Sequence, residues 1–144
     1  MKRVKHIIEG KEPAVLAVGA DTTVYDAVAE MAEHDVGALV VLDGDRLEGI
    51  FSERDYARKV ALRGKSSREM RVGEVMTPRV LCVRGDQTVD EAMALMVDKG
   101  VRHLPVIEGH RVVGVLSMRD AVGEVVSEQQ FVIAQLENYI QRTY

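Results

Sequence analysis

Two stretches of this chain are versions of one another. Residues 13–57 and 78–122 align without a gap at a constant offset of 65, and about 19 of the 45 aligned positions are identical. Matches run from Val15/Val80, Leu16/Leu81 and Val18/Val83 through Asp21/Asp86, Thr23/Thr88, Ala27/Ala92 and Met31/Met96. They are densest at the end, with Gly44/Gly109, Arg46/Arg111, Gly49/Gly114, Ser52/Ser117, Arg54/Arg119 and Asp55/Asp120. A unit of this length repeated once is a supersecondary motif that stacks on its neighbour to complete a core. Neither copy is long enough to bury an adequate core alone. The expectation is two like units packed face to face about a pseudo-twofold axis.

Each copy reads as strand, helix, strand, strand, helix. Val15–Val18 and Val80–Val83 are short β-branched or apolar runs bounded by turn residues. Helical spacing of apolar residues follows from Thr23 to about His34 and from Thr88 to about Lys99. Ala38–Leu42 with Leu47–Phe51, and His103–Ile107 with Val112–Leu116, read as hairpins turning at Gly44 and Gly109. A second helix begins at Ser52 and at Ser117. All four helix starts carry Ser or Thr with Asp or Glu three residues later, the capping-box spacing. The fold class is therefore α/β (or α+β), two β-α-β-β-α units with additions. Those additions divide the chain into an N-terminal segment (1–12), a first unit (13–62), a linker (63–77) with a polar loop at Arg63–Arg68, a second unit (78–126) and a C-terminal helix (127–144) started by Ser127. That last helix carries Val132, Leu136, Tyr139 and Ile140 on one stripe and needs a surface to cover, its own body or a partner subunit.

Composition removes several function classes. The formal charge is −4, against the basic excess of a general nucleic-acid binder, and the absence of Trp with only two Phe denies a base-stacking platform. No apolar run reaches the length of a membrane span, and the basic N-terminus lacks the apolar core of a signal peptide, so a cytoplasmic location is expected. A single cysteine, Cys82, read as an inert strand thiol, allows neither an internal disulfide nor a cysteine metal cluster. Four scattered histidines show no metal-ligand spacing, and no nucleophile elbow or Gly-rich phosphate loop is present. No catalytic residue and no metal site is assigned.

The doubled pattern resembles a tandem cystathionine-β-synthase (CBS) domain pair, or Bateman module. The resemblance rests on Gly49-Ile50-Phe51-Ser52-Glu53-Arg54-Asp55 and Gly114-Val115-Leu116-Ser117-Met118-Arg119-Asp120, supported by Val75-Met76-Thr77-Pro78 and Val101-Arg102-His103-Leu104-Pro105-Val106-Ile107. It covers residues 13–126 and implies two units packed through their sheets, association into homodimers, and regulatory binding of an adenosine nucleotide (AMP, ADP, ATP or NAD(H)) in the clefts between units. No catalytic domain accompanies the pair, so it looks like a stand-alone CBS-pair protein acting on a regulated protein that the sequence does not identify.

An adenosine ligand asks for a carboxylate at the ribose diol, and the motif puts Asp55 and Asp120 there. Its phosphate asks for helix N-terminal N–H groups, hydroxyls and cations. Ser52 and Ser117 sit at such N-termini, with Arg54, Arg119, Arg102, His103 and Lys11 as the basic set and Gly37 and Ala38 in the first copy where the second has Arg102 and His103. Family analogy puts the adenine slot against the first strand of a copy, which in the second holds Val80, and the strand around Leu39 or Leu104–Pro105, with Met76 where a cleft begins and Thr77 beside it. Pro105, lacking an N–H, fits an edge or cleft-lining strand. The competing reading of Ser52, Ser117, Asp55 and Asp120 is helix capping alone, and of Arg54 and Arg119 solvated helix residues or intersubunit salt bridges. The competing function is a ligand-independent dimerisation or adaptor protein working through its terminal helices.

Overall fold

The computed structural model describes residues 2–143, with Gln141, Arg142 and Thr143 described by their backbone alone. The chain begins with helix α1 (Val4–Glu9), followed by β1 (Ala17–Val18), α2 (Val24–His34), β2 (Ala38–Asp43), β3 (Arg46–Ser52) and α3 (Glu53–Tyr56), which continues into a π-helical turn at Ala57–Ala61. After α4 (Val72–Val75) the second copy repeats the order with β4 (Val83–Arg84), α5 (Val89–Lys99), β5 (His103–Glu108), β6 (Arg111–Ser117) and α6 (Met118–Thr143). Each copy makes one three-stranded sheet, β1-β2-β3 or β4-β5-β6, with a parallel first pair and an antiparallel hairpin. Register slips at the same place in both hairpins, between Val41 and Leu42 and between Val106 and Ile107.

The capping rule locates the helices. Thr23 and Thr88 accept from the N–H groups of Asp26 and Glu91, and Ser52 and Ser117 from those of Asp55 and Asp120. Only Asp55 and Asp120 answer in kind, each accepting the N–H of its own serine.

The leading strands are shorter than the apolar runs suggest: only Ala17–Val18 and Val83–Arg84 pair, which leaves Val80 and Cys82 before the strand. Pro105 lies in the central strand of its sheet, not an edge. In the first copy the equivalent Val40 N–H reaches the Leu16 carbonyl at 3.2 Å. Pro105 has no such donor, and β4 begins past that point, which is how a central strand accommodates it.

The pieces outside the repeats are not passive. Val72 and Val75 of α4 sit in the core of the first copy, with Val24, Ala27, Met31, Leu39, Val41 and Phe51. Val4 and Ile8 of α1 sit in the core of the second, with Val83, Ala92, Met96, Leu104 and Leu116. Each copy is thus completed by the segment that precedes the other. The two crossings use the same bonds. Val72 N–H donates to Thr22 O and Gly73 N–H to Ala20 O; Val4 N–H donates to Gln87 O and Lys5 N–H to Gly85 O. The motif glycines have their reason here. A Cβ at Gly49 would fall 2.7 Å from the Thr77 carbonyl oxygen, and one at Gly114 2.5 Å from Ile8.

The loop between the copies is tied down, its Met70 and Ser67 carbonyls accepting from Val24 and Tyr25 N–H groups while the Arg68 guanidinium lies 3.9 Å over the Tyr25 ring. At the C-terminus α6 passes through Ser127 without a break, because the helix capped by Ser117 has no reason to stop there. Among the described residues no helix is long and apolar enough to cross a membrane.

Candidate ligand-binding clefts

Between the copies lie two clefts related by the pseudo-twofold axis. The cleft at the start of α6 has a volume of about 390 Å³ and is lined by Lys11, Gly37, Ala38, His103, Ser117, Arg119 and Asp120, together with Asp35, Glu53 and the apolar Ala14, Leu16, Val36 and Val115. The cleft at the start of α3 has a volume of about 320 Å³ and is lined by Gly37, Ser52, Arg54, Asp55, Thr77, Arg102 and His103, with Glu53, Ile50 and Val101. Gly37, Glu53 and His103 border both. The basic residues 102 and 103 therefore divide, Arg102 facing the Asp55 cleft alone.

Five of the residues expected at the site do not line either cleft. Leu39, Leu104 and Pro105 are buried in the sheets, since β2 and β5 are covered on both faces. Met76 packs against the first core and fills the space beside Gly49. Val80 precedes β4 outside the clefts. In their place the structure adds Asp35 and Glu53, contributed from the opposite copy. Asp35 closes α2 in a left-handed conformation, φ 52°, where the second copy has Gly100 at φ 65°. Aspartate tolerates this region better than most residues.

The two motif carboxylates have different surroundings. Asp55 is spent on its own neighbours: Oδ2 accepts the Ser52 N–H at 2.9 Å and hydroxyl at 3.0 Å, and Oδ1 accepts the Thr77 hydroxyl at 3.2 Å and faces Lys59 Nζ at 3.0 Å. Lys59, on the π-turn, also donates to the Val75 carbonyl. Asp120 holds its bonds on one oxygen, Oδ2, which accepts from Lys11 Nζ at 2.8 Å and from the Ser117 N–H at 3.1 Å. Its side chain is 26% exposed, that of Asp55 9%. The position equivalent to Lys59 is Glu124, which instead pairs with Lys2 at 3.0 Å.

Burial by itself raises the Asp120 carboxyl, but the hydrogen bonds from Lys11 and Ser117 outweigh it and hold the group below the ordinary aspartate value. His103 is pushed below the ordinary histidine value, first by burial and then by Lys11. Burial raises the Cys82 thiol, which is half-buried and lies away from both clefts. One group not legible as a ligand set, Glu30, Glu33 and His34 on the exposed face of α2, brings its donor atoms within 4.8 Å of one another; His34 there pairs with Glu30 at 3.3 Å.

Comparison with known proteins gives the geometry its relatives. The sequence pattern of the family described as "CBS domain" matches twice, over residues 4–62 and 72–127. The CBS domain-containing protein CBSX3, mitochondrial, of Arabidopsis thaliana is 43% identical over 129 residues, covering 86% of this chain and 63% of that protein. The chain spans less than two thirds of the length of the first curated relatives that it matches. A solved structure of a Burkholderia ambifaria protein with CBS domains superposes with a TM-score of 0.84 at 44% identity, over 89% of this chain and 96% of that one. The CBS domain pair of protein MJ0100, solved with 5′-methylthioadenosine and S-adenosyl-L-methionine, superposes with a TM-score of 0.75 over 87% of this chain and 99% of that one, but its 22% identity carries the fold alone. Two matches to one family pattern, in register with the internal repeat and sharing its fold across most of the chain, mean that this protein belongs to the CBS-domain family as a tandem pair.

Proposed function

We propose that this CBS pair is a non-catalytic sensor of an adenosine nucleotide and that the cleft at Asp120 is the one that works. The observation carrying this reading is the unequal use of the two carboxylates. A ribose diol needs an acceptor with free lone pairs; Asp55 has both oxygens engaged by Ser52, Thr77 and Lys59, whereas Asp120 has its described bonds on Oδ2 alone. The apolar Leu16, Val36 and Val115 supply a slot for the base. Ser117, Lys11 and Arg119 stand where a phosphate would meet the first turn of α6. Asp35 and Glu53 border the same cleft and offset those cations, so a ligand with two negative charges, AMP or NAD(H), binds ahead of ATP. Self-association and a cytoplasmic location belong to the same reading. A second reading, an adaptor, has one observation in its favour, that residues 126–140 of α6 are exposed; the other terminal helix expected to serve it, α1, has Val4 and Ile8 buried in the second core.

The test is calorimetric titration of nucleotide-stripped protein with AMP, NADH and ATP, repeated on Asp120→Ala and Asp55→Ala. One site per chain is expected. Loss of a charge-assisted hydrogen bond contributing roughly 1.5–3 kcal/mol weakens binding about 10- to 100-fold in Asp120→Ala, and Asp55→Ala binds as the parent does. Heat from none of the three ligands leaves both aspartates as helix caps and favours the adaptor.

A further inference from the structure

The turn that ends the first copy is strongly cationic in a chain that is acidic overall. Between Tyr56 and Glu69 there are five Lys or Arg residues and no Asp or Glu, against a net charge of −4 for the whole chain. Lys59 is turned to Asp55. Among the described residues Arg58, Arg63 and Lys65 have no ion-pair partner, and Arg68 lies over the Tyr25 ring. Leu62 sits in the middle of this set and is 81% exposed, more than any other large apolar residue described. The π-helical turn accounts for that exposure. Val60 is buried in the first core, and the chain then closes on itself. Leu62 N–H donates to the Ala57 carbonyl and Lys65 N–H to the Val60 carbonyl, both at 3.0 Å, around Gly64 at φ 64°. The Ser67 and Met70 carbonyls fasten the far side of the loop to α2. The tip therefore has a fixed shape and needs little ordering on binding. A single exposed leucine is ordinary on a protein surface. A leucine with unpaired cations four residues before it, next to it and three residues after it, on a fastened turn, is a patterned one.

We propose that this tip is a docking surface for an acidic segment of a partner protein, one that sets carboxylates around an apolar side chain. Charge complementarity carries the choice. An apolar centre with a polar rim is how specific protein interfaces are built, and opposite charges speed the encounter. An anionic membrane fits less well, because a whole acyl chain beside a basic patch is what holds a protein to a bilayer, and the tip offers one leucine. A nucleic acid fits less well again, since Tyr25 is covered by Arg68 and leaves the bases no aromatic face. None of these residues lines either cleft, so the surface does not depend on which nucleotide binds.

Fluorescence anisotropy on the full chain tests it, with a labelled peptide that carries two leucines between runs of glutamate. Binding with a Kd on the order of 10 µM is expected at about 50 mM salt, weakening as salt screens the charges. Leu62→Ser in the protein, or serine for leucine in the peptide, weakens binding about tenfold. Arg63→Glu with Lys65→Glu removes it. All three side chains are exposed, so the melting temperature is expected to hold in each variant. A parent that does not bind the peptide overturns the proposal. Binding that Leu62→Ser leaves unchanged overturns it as well, because the tip then attracts any polyanion. Cosedimentation of the parent with phosphatidylglycerol vesicles, without peptide binding, gives the surface to a membrane instead.

Discussion

At positions 55 and 120 the same residue of the repeat has been given two sets of neighbours, and chemistry follows the neighbours. Both aspartates cap their helices, so the capping reading is correct for each. It does not exclude a ligand role, because a carboxylate has two oxygens and capping uses one. What decides availability is whether a lysine one turn along the helix and a threonine hydroxyl take the other, as Lys59 and Thr77 do at Asp55. His103, between the two clefts, carries a separate prediction. Its imidazole is held below its ordinary value in the folded chain, so between about pH 6.5 and that lower value the unfolded chain binds more protons. Stability is therefore full above about pH 6.5 and falls as the pH drops toward the folded value. Asp120, depressed from about 3.9, contributes stability that is present above that value and lost only below it, outside this window. Urea midpoints measured between about pH 7.5 and about pH 5.5 are expected to fall for the parent and to fall less for His103→Gln. Equal slopes would assign the dependence to other groups.

Among the elements, α1 and α4 have the largest effect for their size. Val4 and Val72 are each 0% exposed in the core of the copy they complete. Val4→Ala and Val72→Ala are each expected to cost about 2 kcal/mol, measured by urea unfolding, which is more than a six- or four-residue surface helix could lose. The repeat, the helix starts and the hairpins were legible in the sequence because they rest on local chemistry: capping serines and threonines, turn glycines, alternating apolar runs. The crossing was not. The bonds of α1 and α4 make residues 2–8 and 70–76 equivalent at an offset of 68, three more than the rest of the repeat, and only Arg3/Arg71 and Val4/Val72 match there. A constant offset of 65 passes over them. The cleft was half legible for a related reason. Ser117, Arg119 and Asp120 lie within one motif, but Asp35 and Glu53 reach that cleft from the other copy, a long-range placement that local pattern does not encode. Leu39 and Leu104 misled because strands covered on both faces show no alternation to say which side chains face a cleft.

For the whole molecule, the clefts, the crossing helices and α6 meet around one short connection. Lys11, between α1 and the first copy, reaches the Val115 carbonyl and Asp120 in the second. On the proposed reading, a nucleotide taking over the Asp120 carboxylate would disturb the residue that joins the N-terminal crossing to the cleft wall, and α6 starts two residues before Asp120 at Met118. The crossings also set how the chain can be divided. A cut at the exposed turn before Gly64 leaves one piece holding the first repeat without α4, and another holding the second repeat without α1. Each piece lacks the apolar plug for its own core and carries the one that the other needs. Neither is expected to show cooperative melting alone, while an equimolar mixture regains it; a piece that melts cooperatively by itself would contradict this. The repeat units of this chain are thus not its folding units, and the smallest divisible form of the molecule is a complementing pair of fragments.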